Sequence, residues 1–196
     1  MKNKVLFFSL LAGFAASLVF VQAENLVPNS GFDQPNNPFA GWNVDYSWTK
    51  RKVDLTNQYR LKVLPTHAGK QNVVEFPEKG GAGSRIESVI IPFDPNAIYE
   101  ATLDVKGNFR IYFAGYKWKP GIRPHDNPKL GELRTIYKSK PALPNEKSWK
   151  SISLKVPTKK PSSDLQKQHL EKIRFITLYV WSEHGGFVDN ISIRKK

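Results

Sequence analysis

The chain has 196 residues, no cysteine, and 30 Lys and Arg against 17 Asp and Glu, a formal charge of +13. The missing cysteine excludes a disulfide framework, thiolate chemistry and a lipidated-cysteine anchor, so a domain built from this chain must stand on its core. The positive balance attracts polyanions but says nothing of the fold.

Lys2 and Lys4 precede an apolar run over residues 5–21 that ends in Val21-Gln22-Ala23. A positive start, an apolar middle and a small residue at the end make a secretory signal, with cleavage expected after Ala23. Residues 24–196 then form one domain of ordinary size with no membrane span of its own, secreted, periplasmic or held at the cell surface. Nucleic acid is not the expected partner of an exported protein without RNP-like or helix-turn-helix patterning. An acidic glycan or an anionic envelope surface suits the charge better.

Beyond the signal the apolar residues recur with period two. Tyr59, Leu61 and Val63 share a face in YRLKVLP; NVVEF, SRIESVIIPF, IYEATLDVKG, FRIYFAGYKW, SISLKV, IRFITLYVW and FVDNISI follow. In the fourth of these, Tyr99, Ala101, Leu103 and Val105 face one way, and Glu100, Thr102 and Asp104 the other. The separators are clusters such as LPTHAGK, PEKGGAGS, PFDPNA and PTKKPSSD, and the chain holds 14 prolines. Short strands at this spacing predict an all-β, antiparallel sandwich or jelly roll. Only SSDLQKQHLEK has helical character, with Ser163 or Asp164 as its cap; it is short and polar enough for one surface turn. One irregular stretch, from Lys119 to about Glu146, is long for a compact domain and is interrupted by a strand, LRTIYKS.

The two ends of the predicted domain carry a resemblance. Asn25-Leu26-Val27-Pro28-Asn29-Ser30-Gly31-Phe32-Asp33 followed by Gly41-Trp42, and Gly186-Phe187-Val188-Asp189-Asn190-Ile191-Ser192-Ile193 at the far end, resemble carbohydrate-binding modules of the 4, 9 and 22 group. Gly69-Lys70, Tyr99 and Trp149-Lys150 sit where those modules have G-K, Y and W-K. The resemblance implies a galactose-binding-like jelly roll in which the first and last strands lie together, with Leu26, Phe32 and Trp42 in the core. It also implies a structural calcium ion between the ends, held by Asp33 and Asp189; the chain has Asp33 where the group commonly has Glu. An Asx turn at Asp33 and a backbone pairing at Asp189 are the alternative.

Sugar rings stack their C–H faces on aromatics and present hydroxyls to planar polar groups. In FRIYFAGYKW, Arg110, Tyr112, Ala114, Tyr116 and Trp118 share a face, which makes Arg110, Tyr112, Tyr116 and Trp118 the leading carbohydrate-binding candidates. Trp48, next to Tyr46 in a polar stretch, is another, as is Trp181; Tyr179 and Trp181 line either the same sheet or the core. Trp149 reads as structural. Arg123, His125, Asp126 and Asn127 lie in the long loop, either as a lid or as plain surface.

The expected function is non-catalytic binding of a polysaccharide, acidic ones being favoured. An adhesion or envelope-assembly protein could use the same sandwich on a protein partner, since fold does not fix function. A polysaccharide lyase drawing on Tyr112, Tyr116, Arg110 and His125 is the third reading; it needs a convergence of groups that spacing alone does not show.

Overall fold

The computed structural model describes residues 24–44, 61–78 and 83–196. The predicted signal and the segment with Tyr46, Trp48 and Tyr59 lie outside the described residues. The architecture is an antiparallel β-sandwich of jelly-roll type. One sheet runs β1 (Trp42–Asn43), β4 (Ser84–Ser88), β10 (Phe175–Ser182), β7 (Arg110–Trp118), β8 (Leu133–Lys138), with β5 (Ile91–Pro92) also on β10. The other runs β2 (Lys62–His67), β3 (Lys70–Phe76), β11 (Gly186–Lys195), β6 (Tyr99–Asn108), β9 (Asn145–Val156).

The period-two pattern is what divides each strand between core and surface. On β6, Ala101, Leu103 and Val105 are buried inward, as their alternation predicts; on β7 the inward set is Ile111 and Phe113, and on β10 Ile176, Leu178 and Val180. These side chains interdigitate between the sheets in a single large core. Gly107 and Gly186 face each other across β6 and β11. A Cβ on Gly107 would lie 2.8 Å from the Gly186 Cα, and both glycines have positive φ, so the two backbones approach there as only glycine allows.

The ends of the domain meet. The Leu26 N–H donates to the Ile193 carbonyl (2.8 Å), Ile193 N–H to the Asn25 side chain (2.9 Å), and Ile191 N–H to the Ser30 carbonyl (3.3 Å). Val27, Phe32 and Trp42 are buried, with Phe32 packed 5.3 Å from Trp42 between ring centroids; Leu26 packs on the core edge. The opening residues, however, lie beside β11 as successive turns rather than as a strand. Pro28, Pro35 and Pro38 withhold the N–H groups that a ladder needs, and Asn29 and Phe32 adopt positive φ. The helical stretch is longer than the one turn expected: α1 spans Asp164–Glu171, and Ser163 caps it by accepting from the Gln166 N–H (3.3 Å). Leu170 anchors it to the core, adding the tertiary support its polar sequence lacks.

Candidate functional site

The outward face of the β1–β8 sheet is built from alternate residues of its central strands. Register places Arg85, Trp181 and Arg110 in one transverse row, and Glu87, Tyr179 and Tyr112 in the next. Lys138 sits on the neighbouring edge strand, opposite Ala114. Tyr112 and Tyr179 stack at 4.7 Å between centroids with planes 27° apart.

Each ring at this end carries a cation. Arg110 lies 5.9 Å from the Trp181 centroid, Arg85 5.4 Å from Tyr179, and Lys138 5.6 Å from Tyr112. The negative face of each π-system attracts the charge, and the cation–ring pairs hold these long side chains over the sheet. Arg110, Tyr112, Lys138, Ser139, Pro141, Tyr179 and Trp181 line an open cleft of about 370 Å³, within the range of small-ligand sites.

The sequence pattern had not singled out Lys138, Ser139 and Pro141. They reach the cleft because the chain goes on pairing with β7 after β8 ends. Ser139 N–H donates to the Phe113 carbonyl (2.9 Å), Phe113 N–H to the Ser139 hydroxyl (3.0 Å), and Ala142 pairs with Ile111. The one hint in sequence was the strand inside the long stretch, which makes its tail a neighbour of β7.

At the other end the same face is closed. Tyr116, Ala114 and Leu133 form a second small core with Ile90, Tyr112, Trp118, Leu130 and Phe175 packed on it. Trp118 meets Phe175 edge-on (5.5 Å) and His125 of the long loop (4.9 Å), while His125 Nε2 lies 3.3 Å from a Glu132 oxygen. The loop thus folds over this end; Arg123, Asp126 and Asn127 are exposed on it and stay clear of the cleft.

Two predicted binding residues lie outside this cleft. Tyr116 shares a face with Tyr112 but is only 8% exposed, because its ring lies in the second core and its hydroxyl donates inward to Glu87 Oε1 (2.6 Å). Trp118 likewise is occupied by Phe175 and His125. Arg110, Tyr112 and Trp181 do come together, and Trp48 lies outside the described residues.

Beside the cleft, on the same face of the sheet, sits a buried carboxylate. Glu87 is 1% exposed and accepts from both Tyr116 and Thr177 (2.7 Å), with Arg85 3.8 Å away. A buried charge is tolerable only when paired and hydrogen-bonded, and these partners satisfy that condition. Burial, with Tyr179 and Glu87 nearby, pushes the Tyr112 hydroxyl up to about 12; burial and Glu87 push Tyr116 higher still.

The two carboxylates assigned to calcium each lie beside protein partners. Asp189 is buried on the outward face of the β2–β9 sheet, accepting from the Asn190 N–H (2.7 Å), with the Lys70 ammonium at 3.4 Å. Lys70 also binds Asp104, directly opposite Asp189 in register, at 2.7 Å. Asp33 is exposed, and its N–H donates to the side chain of Asn29, four residues earlier (3.0 Å). Calcium takes six to eight oxygens, whereas here one ammonium is shared between Asp104 and Asp189. Among the described residues no group of three or more His, Cys, Asp or Glu is placed to hold a metal ion.

No family model matches the sequence, and no curated protein does. Among solved structures, TmCBM61 in complex with beta-1,4-galactotriose superposes with a TM-score of 0.44 at 13% identity, over 89% of this chain and all of that one. A CBM4 structure gives 0.45 at 10% identity, over 87% and 99%. The CBM22-1 and GH10 modules of Clostridium thermocellum endo-1,4-beta-D-xylanase 10B, complexed with xylohexaose, give 0.43 at 15%, over 81% of this chain but only 26% of that one. All three contain carbohydrate-binding modules. At these values the likeness leaves open what this chain binds.

Proposed function

We propose that this protein is exported and binds a polysaccharide in the cleft over Tyr112, Tyr179 and Trp181, without transforming it, and that it favours acidic glycans. One observation carries the reading: three neighbouring rings on the sheet, each with an Arg or Lys beside it. The rings offer apolar faces to sugar C–H groups. Arg110 and Lys138 stand at the cleft wall, where they can meet carboxylate or sulfate groups, Arg with its planar fork and Lys as a point charge. Ser139 adds a hydroxyl. The adhesion reading lacks any comparable feature.

The state of Tyr112 supports binding over lyase chemistry. A tyrosine base works best with a proton affinity near the operating pH, whereas burial moves Tyr112 away from it, up to about 12. Glu87, the carboxylate nearest the rings, has one oxygen taken by two hydroxyls and is closed to solvent. A glycan array read at two ionic strengths tests the proposal. Acidic glycans should give the strongest signals, weakened but not abolished by salt, since stacking is unscreened. Loss of every signal at moderate salt would reduce the interaction to charge attraction alone. Incubation with uronate polymers should produce no new ultraviolet absorbance from unsaturated ends.

A further inference from the structure

β8 is the edge strand of its sheet, and its last two residues face opposite ways. Lys138 reaches over Tyr112 in the cleft. Tyr137 turns to the other side, beside a larger hollow of about 620 Å³ between β8, the Pro157–Pro161 turn and α1. Tyr137, Pro157 and Leu170 make its wall mainly apolar; Lys159, Gln166 and His169 supply its polar side. The His169 ring stands edge-on to Tyr137 at 6.5 Å. Leu165 of α1 lines the same hollow although 78% exposed, apolar surface with no stabilising work to do in the folded chain.

The hollow repeats the composition of the cleft: an aromatic wall, an ammonium, and groups that both donate and accept. Lys160 and Lys167 border the adjoining hollow, which shares Pro157 and Pro161; Glu171 lies there too and Lys167 pairs with Asp164, so Lys159 and Lys160 carry the positive charge of the rim. An apolar wall under a positive rim complements an anionic polymer with apolar ring faces. The two sites are separated by one strand, and neighbouring strands lie only ~4.8 Å apart. We propose that the groove beside α1 is a second glycan subsite, which takes the continuation of the acidic chain held in the cleft, so that the polymer bends over β8 at Tyr137–Lys138. This rests on the cleft reading above. Such a second contact raises affinity through effective concentration and only for chains long enough to reach both sites.

Titration calorimetry with size-fractionated polygalacturonate, alginate and heparin fragments tests it. Fragments that fill the cleft alone should bind wild type and the double variant L165D/H169A alike. Longer fragments should bind wild type at least about tenfold more tightly than short ones. That gain should vanish in L165D/H169A and in the charge reversal K159E/K160E, all of which alter exposed side chains and should leave the melting temperature unchanged. A length-dependent gain that survives in both variants, or is absent from the wild type, overturns the groove proposal. If instead no fragment of any length loses affinity on Tyr112→Ala, the cleft reading itself fails.

Discussion

Truncating Tyr112 probes the cleft most directly. Its ring stacks on Tyr179 at 4.7 Å, faces Lys138 at 5.6 Å and is half-buried, so part of it remains available to a ligand. If a sugar ring covers on the order of 50 Å² of apolar surface there, the contact contributes ~1.3 kcal/mol at ~25 cal/mol per Å². Losing the stack also frees Tyr179 and Lys138 from their fixed poses, which adds about 0.5–1 kcal/mol of ordering cost on binding. Together these give ~2 kcal/mol, or a roughly 30-fold weaker Kd for Tyr112→Ala. Calorimetry on the strongest array ligand, with a thermal melt as fold control, measures it. Y112A binding within twofold of wild type, with native melting intact, would show that the rings are packing surface and not a glycan platform.

Tyr116→Phe separates support from contact. It leaves Glu87 with one partner fewer in a buried site, so stability should drop by about 1–2 kcal/mol while glycan affinity stays within twofold; calorimetric melting beside a binding isotherm reads both. A pH effect is expected at Asp104. Burial pushes its carboxyl up, but the hydrogen bonds from Lys70, Ser151 and Asn190 outweigh it and hold the group below the ordinary carboxylate value. A carboxyl depressed in the folded state contributes stability that is present above the unfolded value of about 3.9 and lost as pH falls through the folded one. Asp104→Asn should therefore be less stable at neutral pH and show a flatter acid limb in urea midpoints measured from about pH 5 downward. Melting temperature should be the same in calcium and in chelator, because the Lys70 ammonium already occupies the position beside Asp104 and Asp189; a rise of several degrees with calcium would contradict that account.

How far the sequence carried the reading differs from element to element. Strand alternation is local: once Tyr99, Ala101, Leu103 and Val105 are apolar at every second position, they can bury only one face, so the sandwich and its inward residues were legible without coordinates. The same rule placed Arg110, Tyr112, Tyr116 and Trp118 on a common outward face. It could not divide that face: Leu130 and His125, from the segment just after β7, pack at the Tyr116 and Trp118 end, while Lys138, Ser139 and Pro141 from farther along the same stretch line the cleft at Tyr112. Nor could it pair Tyr112 with Tyr179, which are 67 positions apart and meet only through the register of β7 with β10.

Asp33 and Asp189 show the same limit from the other side. The two segments that carry their motifs do lie together. The partner of Asp189 is nevertheless Lys70, brought in by β3 on the neighbouring strand. Local chemistry chose which residues turn inward; which of the outward ones stay open, and what stands beside them, was settled by contacts between segments far apart in the chain, whose strength depends on distance in space.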